Sequence, residues 1–228
     1  MNALNAEPAT TTPVYSCTDV EVSYSGTCVL SIPELSIFPG EAIAVLGPSG
    51  AGKSTLAAVV GGFLDPLATL QQQSPPNETR TLSVGVVGQD AFGALNPLAR
   101  VDKQLALTAG SLSRARELLR SVDIDDHLHS RYPLALSGGQ RQRASIAFAL
   151  GGDPDIVICD EVTSALDPVA TVTVIETLQR LLATNPKRAV LFISHDHHAA
   201  HALCHRAIVL NPNPAGGFRA DVKEAGQW

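Results

Sequence analysis

Apolar and polar positions change period along the chain, and those changes mark off its elements. From Val14 to Tyr24 and from Thr27 to Ile37, β-branched and polar residues partly alternate, which predicts two half-exposed antiparallel strands. Pro39 and Gly40 turn the chain, and Glu41–Leu46 is then a nearly continuous apolar run, as in a strand covered on both faces. A glycine-rich loop follows, and Lys53–Leu64 reads as a helix. Residues Asp65–Arg80, with a glutamine triplet and Pro75-Pro76, read as a solvated loop, and Thr81–Val87 as a buried strand. From Gln89 to about Leu136 strand signals are few and helical stretches such as Ser113–Val122 recur, which predicts a small helical insertion.

Beyond it the pattern predicts a helix over Ser137–Leu150, a strand over Ile156–Cys159 and a helix over Pro168–Ala183. A strand over Ala189–Ile193, a helix over Asp196–Cys204 and a last strand over Ala207–Leu210 complete the series. Alternation of strand and helix makes the main body α/β with a mostly parallel sheet, preceded by an antiparallel β subdomain. The expected organisation is a disordered leader over 1–13, a domain over 14–212 with helical residues about 90–136, and a short tail over 213–228 with no room for a large regulatory domain.

Composition narrows the functional classes. The chain has 228 residues, 45% hydrophobic and 17% charged, which excludes wholesale disorder. Sixteen Lys+Arg against 22 Asp+Glu leave a formal charge of −6, which argues against a nucleic-acid coat or a general binder of anionic membranes. Cys17, Cys28, Cys159 and Cys204 are scattered without a CxxC pair, as expected of reduced thiols in a cytosolic protein. The polar start of the chain is not a signal peptide, and no apolar stretch is long enough to span a bilayer.

Gly47, Pro48, Ser49, Gly50, Ala51, Gly52, Lys53 and Ser54 fit G-x-x-x-x-G-K-[ST] in full, between an expected buried strand and an expected helix. Glycines let consecutive backbone amides point inward at phosphate oxygens, and the helix N-terminus adds partial positive charge. Lys53 supplies a point charge for the β- and γ-phosphates, the Ser54 hydroxyl is placed to ligate Mg²⁺, and Thr55 continues the helix start. Ile156–Cys159 leads into Asp160 and Glu161, two carboxylates at a strand's carboxyl end, where open α/β sheets bind ligands. Asp160 is expected to hold Mg²⁺ through water and Glu161 to polarise a water for in-line attack. Taken singly, each motif has a plainer alternative, a ligand-free glycine turn or a solvated acidic strand cap.

Leu136-Ser137-Gly138-Gly139-Gln140, followed by Arg141-Gln142-Arg143, narrows the class. The run offers a second anion site of one hydroxyl and glycine amides at a helix start, although an ordinary N-cap on Ser137 is the simpler reading. Its place between the phosphate loop and the acidic strand resembles the signature motif of ATP-binding-cassette (ABC) ATPases, and the resemblance spans about residues 14–212. It implies an ABC ATPase fold that uses ATP and Mg²⁺, with two chains closing around two nucleotides.

The resemblance also implies roles for single residues. Gln89 is similar to the Q-loop glutamine that touches Mg²⁺ and the attacking water and links the site to transmembrane permease subunits. Ser164-Ala165-Leu166-Asp167 resembles the D-loop, whose Asp167 crosses to the second subunit, and His195 resembles the switch histidine on the γ-phosphate. Tyr24 sits where an aromatic ring stacks on adenine, a position equally served by packing. Val162 departs from the family's usual proline, which alters loop stiffness and removes no functional group.

Gln89-Asp90-Ala91-Phe92-Gly93-Ala94-Leu95-Asn96-Pro97, with Tyr132-Pro133 ahead of the signature, resembles the peptide and nickel branch of ABC importers. Ala91, Leu134 and Ala135 depart from that branch's pattern, as does the lack of its C-terminal extension. The implied protein is the ATPase of an importer of peptides, nickel or metal chelates on the cytoplasmic face of the cell membrane. Permease subunits, a second identical or paralogous ATPase chain and a solute-binding protein would be its partners. A soluble ABC ATPase of repair, chromosome or cluster-assembly type is the alternative, and a small-molecule P-loop kinase a more distant one. His197, His201 and His205 recur every four residues and would share a helix face, which opens a metal-binding reading beside that of an exposed helix carrying imidazoles.

Overall fold

A computed structural model describes residues 12–74, 82–89 and 91–228. The expected disordered leader lies outside these residues apart from Thr12 and Pro13, as does the Pro75-Pro76 stretch. Among the described residues nine strands form one sheet: β1 (Tyr15–Tyr24), β2 (Thr27–Ile37), β3 (Ala42–Leu46), β4 (Ala68–Ser74), β5 (Val84–Val87), β6 (Ile156–Asp160), β7 (Ala189–Ile193), β8 (Arg206–Pro212) and β9 (Phe218–Lys223). Their spatial order is β4-β1-β2-β9-β8-β3-β7-β6-β5. The run β8-β3-β7-β6-β5 is parallel, and β1 pairs antiparallel with both β2 and β4.

Among the described residues seven α-helices accompany the sheet: α1 (Lys53–Gly61), α2 (Ala91–Ala94), α3 (Val101–Ala109), α4 (Leu112–Ser121), α5 (Gly138–Ala149), α6 (Pro168–Thr184) and α7 (His197–Leu203). Strands covered on both faces divide their side chains between two cores. In β3, Ala42, Ala44 and Leu46 join the core built with α3 to α7, whereas Ile43 and Val45 join the core that holds α1 and the antiparallel strands. Helices occupy the 91–136 stretch, but its apolar residues do not form a core of their own. Leu105, Leu119 and Ile124 share one cluster with Val157 and Phe192 of the sheet. Glycine at position 85 permits the contact between β5 and α5, because a Cβ there would lie 2.5 Å from the Ala149 carbonyl oxygen.

Two segments differ from the sequence expectation. Residues 68–74, read as solvated loop, form the edge strand β4, paired from Thr18↔Ser74 to Tyr24↔Ala68. Polar side chains are tolerated there because an edge strand needs its backbone ladder more than apolar faces. Residues 213–228, read as a tail beyond the domain, carry β9, which lies between β8 and β2 and pairs antiparallel along β8 from Ala207↔Lys223 to Pro212↔Phe218. The last strand is therefore not Ala207–Leu210, and the sheet joins its parallel and antiparallel parts through the segment read as a short tail.

Phe192, fully buried in β7, is the largest side chain among the completely enclosed ones. Phe192→Ala is expected to lower stability by about 3–5 kcal/mol, read as a shift of the denaturant midpoint at unchanged slope.

Candidate nucleotide site

Parallel register brings the site together. Val45 of β3 and Asp160 of β6 both pair with Ile193 of β7, and Val87 of β5 pairs with Cys159 of β6. The carboxyl ends of β3, β7, β6 and β5 thus stand side by side, followed by the loop at 47–52, by His195, by Glu161 and by Gln89. This is where open α/β sheets place ligands.

Gly50 and Gly52 take positive φ, 78° and 91°, and Gly52 is the N-cap of α1 without any side-chain cap. The loop therefore leaves the helix's first amides uncapped by side chains, and Ala51 packs beneath it, fully buried. Lys53 is 93% buried, and its ammonium donates to the carbonyls of Gly47 (2.9 Å) and Pro48 (3.0 Å). A charge so enclosed needs such partners, and here the loop curls around its own cation. Gly47 is pressed against β8, where a Cβ would come within 3.0 Å of the Leu210 Cβ. Ser49, Gly50, Gly52, Lys53, Ser54, Thr55 and Glu161 line a cavity of about 300 Å³.

The acidic pair divides into two environments. The Asp160 carboxyl is pushed above the usual carboxylate range, first by burial and then by the charge of Glu161. Ser54 Oγ donates to Asp160 Oδ2 at 3.4 Å. A hydroxyl beside a carboxylate that is costly to ionise is a hard-oxygen donor set suited to Mg²⁺, whose charge would relieve that cost. Glu161 adopts φ 52°, unusual for a residue with a side chain. Its amide donates to the Ile193 carbonyl (3.0 Å), and its carbonyl accepts from the Ser164 amide (3.1 Å) and hydroxyl (2.8 Å). These bonds hold the strained residue and turn its carboxylate toward His195, whose Nε2 lies 2.6 Å from Glu161 Oε1. Val162 is buried in the helical-side core, where a proline would add stiffness but no chemistry.

The other expected residues are placed as follows. Gln89 is exposed just past β5. Tyr24 ends β1, half-buried, opposite Thr27 and Ala68 and packed on the α1-side core. Asp167 caps α6, accepting from the amides of Val169 (3.0 Å) and Ala170 (2.9 Å). Ser137 caps α5 in a reciprocal box, its hydroxyl accepting from the Gln140 amide (3.2 Å) while Gln140 Oε1 accepts from the Ser137 amide (2.9 Å). Gly138 is open to solvent, and Gly139 sits against α6, where a Cβ would meet that of Ala170 at 3.1 Å.

The structure also gives a supporting role to Arg143, quoted above only within the basic run after the signature, and to Arg180 and Asp123, which motif reading passed over. Arg143 Nε donates to the Val122 carbonyl (2.9 Å), and Arg180 makes a two-pronged pair with Asp123 (2.6 and 2.8 Å). The turn after α4 is thereby bolted to both α5 and α6, and the Arg180 hydrogen bonds hold the Asp123 carboxyl below its usual range. Only the charge of such arginines could have hinted at this. The expectation that His197, His201 and His205 share a helix face is corrected, because α7 ends at Leu203 and leaves His205 beyond it. Among the described residues no three of His, Cys, Asp or Glu are placed to hold a metal ion. All four cysteines are free, and burial pushes the Cys159 thiol up to about 12.

Comparison with known proteins agrees with this geometry. The family model described as "ABC transporter" matches residues 30–164. An aliphatic sulfonates import ATP-binding protein of Rhodococcus jostii is 36% identical, covering 82% of this chain and 75% of the relative. A nickel import ATP-binding protein of Escherichia coli is also 36% identical, covering 80% of this chain and 75% of the relative. The fold is that of the ATP-binding cassette MJ0796, solved as a dimer in a post-hydrolysis state with ADP and Pi, with a TM-score of 0.73 at 24% identity over 94% of this chain and all of that one. A buried loop lysine, a paired carboxylate and imidazole, and a capped serine-glycine helix start therefore have one common explanation: the chain belongs to the ABC transporter family, among its ATP-hydrolysing proteins.

Proposed function

We propose that this chain is the ATPase subunit of a membrane importer, working as one of two chains, identical or paralogous, that close around two ATP molecules. Each triphosphate would lie between the phosphate loop of one protomer and the Ser137–Gln140 tip of the other, and its hydrolysis would let the pair reopen. The observation that carries this reading is the Glu161–His195 contact at 2.6 Å beside the cavity that Glu161 shares with Lys53 and Ser54.

When triphosphate enters, Lys53 exchanges the Gly47 and Pro48 carbonyls for β- and γ-oxygens, and the loop amides take the remaining ones. Ser54 and Asp160, with Gln89, would hold Mg²⁺, which neutralises charge on those oxygens when bound. Tyr24 stacks on the base. Glu161 accepts a proton from the water that attacks phosphorus in line, the bond from the γ-phosphorus to the bridging oxygen breaks, and ADP and phosphate result. His195 contacts the γ-phosphate from the other side of Glu161 and keeps that carboxylate oriented. Asp167 sits in the loop that meets the opposite chain. No step needs a covalent intermediate, so positioning and charge stabilisation supply the rate.

The import reading draws on the names of the relatives, and it places the chain on the cytoplasmic face of the membrane through permease subunits. No helix among the described residues is long and apolar enough to cross a membrane, so attachment through a partner fits. Nickel, a metal chelate or a peptide, delivered by a solute-binding protein, is the proposed cargo, on the strength of the Gln89–Pro97 run and the nickel import relative. The sulfonate relative matches equally well, in keeping with cargo choice residing in other chains.

Glu161→Gln is expected to keep ATP binding, to lower turnover by about 100-fold or more and to trap an ATP-bound dimer visible by size-exclusion chromatography. Normal turnover in that variant overturns the base assignment. Lys53→Ala is expected to weaken ATP binding by about 10- to 100-fold in equilibrium titration, the loss of a charged hydrogen-bond donor. Co-sedimentation with a membrane permease separates an importer subunit from a soluble ABC ATPase, which would stay in the supernatant.

A further inference from the structure

Helix α7 begins two residues after His195, and its placement decides where that imidazole stands. It has only seven residues, too few to be stable alone, so neighbouring groups must hold it. Asp196 caps its start by accepting from the amides of His198 (2.8 Å) and Ala199 (3.2 Å). On one flank Gln179 of α6 donates to the Ala202 carbonyl at 2.8 Å. On another flank stands Trp228. Its indole lies flat on the His201 imidazole, with centroids 3.9 Å apart and planes 3° from parallel.

Three further observations give that ring more than a packing role. A turn closed by Gln227 N–H to the Glu224 carbonyl (3.1 Å) and Glu224 N–H to Gln227 Oε1 (3.2 Å) folds the chain after β9 back toward α7. Trp228 Nε1 is shut off from solvent with no acceptor, so the ring is held by its face while its polar edge goes unsatisfied. Finally, Trp228 and Gln227 line a cavity of about 600 Å³ whose other walls include Gly47, Pro48, Ser194 and His195. The indole therefore touches the helix that begins just after the switch histidine, and also borders the first residues of the phosphate loop.

We propose that Trp228 is a positioning residue for ATP hydrolysis, which by stacking on His201 holds α7 and so sets His195 at the height of Glu161 and the phosphate loop. The proposal rests on the reading of His195 as the γ-phosphate contact. With about half of its side chain exposed, His195 has little packing of its own to fix it. A small tilt of α7 would move the imidazole without touching the loop that binds nucleotide, so the effect falls on turnover rather than on affinity.

The test is steady-state ATP hydrolysis by the full chain for Trp228→Ala, Trp228→Phe, His201→Ala, the double alanine variant and His195→Ala. Trp228→Ala is expected to lower kcat about tenfold, in line with a displaced catalytic group. Its KM for ATP should stay within about twofold. Trp228→Phe keeps a ring on the imidazole and should recover most of kcat. His201→Ala removes the same stack from an exposed position, so it reports on the contact even if Trp228→Ala folds poorly, and the double variant should be no slower than either single one. Wild-type kcat in His201→Ala, a parallel rise of KM, or additive losses in the double variant would overturn the proposal. Full activity in His195→Ala would instead overturn the reading of the histidine on which it rests.

Discussion

Helix α1 buries one apolar stripe in a core to which both the antiparallel and the parallel strands contribute. Leu56, Ala57 and Val60 are buried among Val20, Val22, Leu30 and Ile32 of the antiparallel strands and Ile43, Val45, Ile158 and Leu191 of the parallel ones. This burial pins the helix start, and with it Lys53 and the loop that wraps the lysine. Sharing that core with both sets of strands fixes the loop at 47–52 to the register of the strands that deliver Asp160, Glu161 and His195. The active geometry is thus a by-product of burying the hydrophobic surface of one short helix.

Much of this was legible in the residues. Continuous apolar runs mark β3, β6 and β7 because both of their faces are covered, and the glycine-lysine loop and the capped Ser137 carry their mechanism in their residue types. What escaped was decided by partners far away in sequence. The polar strand β4 exists because β1 has a backbone edge to pair, and nothing in Ala-Thr-Leu-Gln-Gln-Gln-Ser announces that edge. Strand β9 looks like a tail until β8 and β2 are seen on either side of it. Glu161 takes a left-handed conformation that its residue type disfavours, imposed by Ile193 and Ser164. Helix α7 stops at Leu203, short of His205, because the next strand begins at Arg206.

The helical stretch is inserted in sequence but continuous in packing. Its leucines share a core with the sheet, and the Arg143–Val122 and Arg180–Asp123 contacts tie α4, α5 and α6 into one body. In a single protomer, motion of the Ser137 tip relative to the sheet is therefore resisted by a common core as well as by surface ion pairs.

The reciprocal cap at Ser137 has a consequence for what that serine can still do. A hydroxyl has two lone pairs and one proton. Holding the Gln140 amide occupies a lone pair and leaves the proton uncommitted, at a helix end whose dipole already favours anions. The same oxygen can fasten its own helix and still offer a hydrogen to a foreign phosphate without giving anything up. Recognition at this tip would then require no unfastening, and the groups that greet an incoming anion stand ready before it arrives.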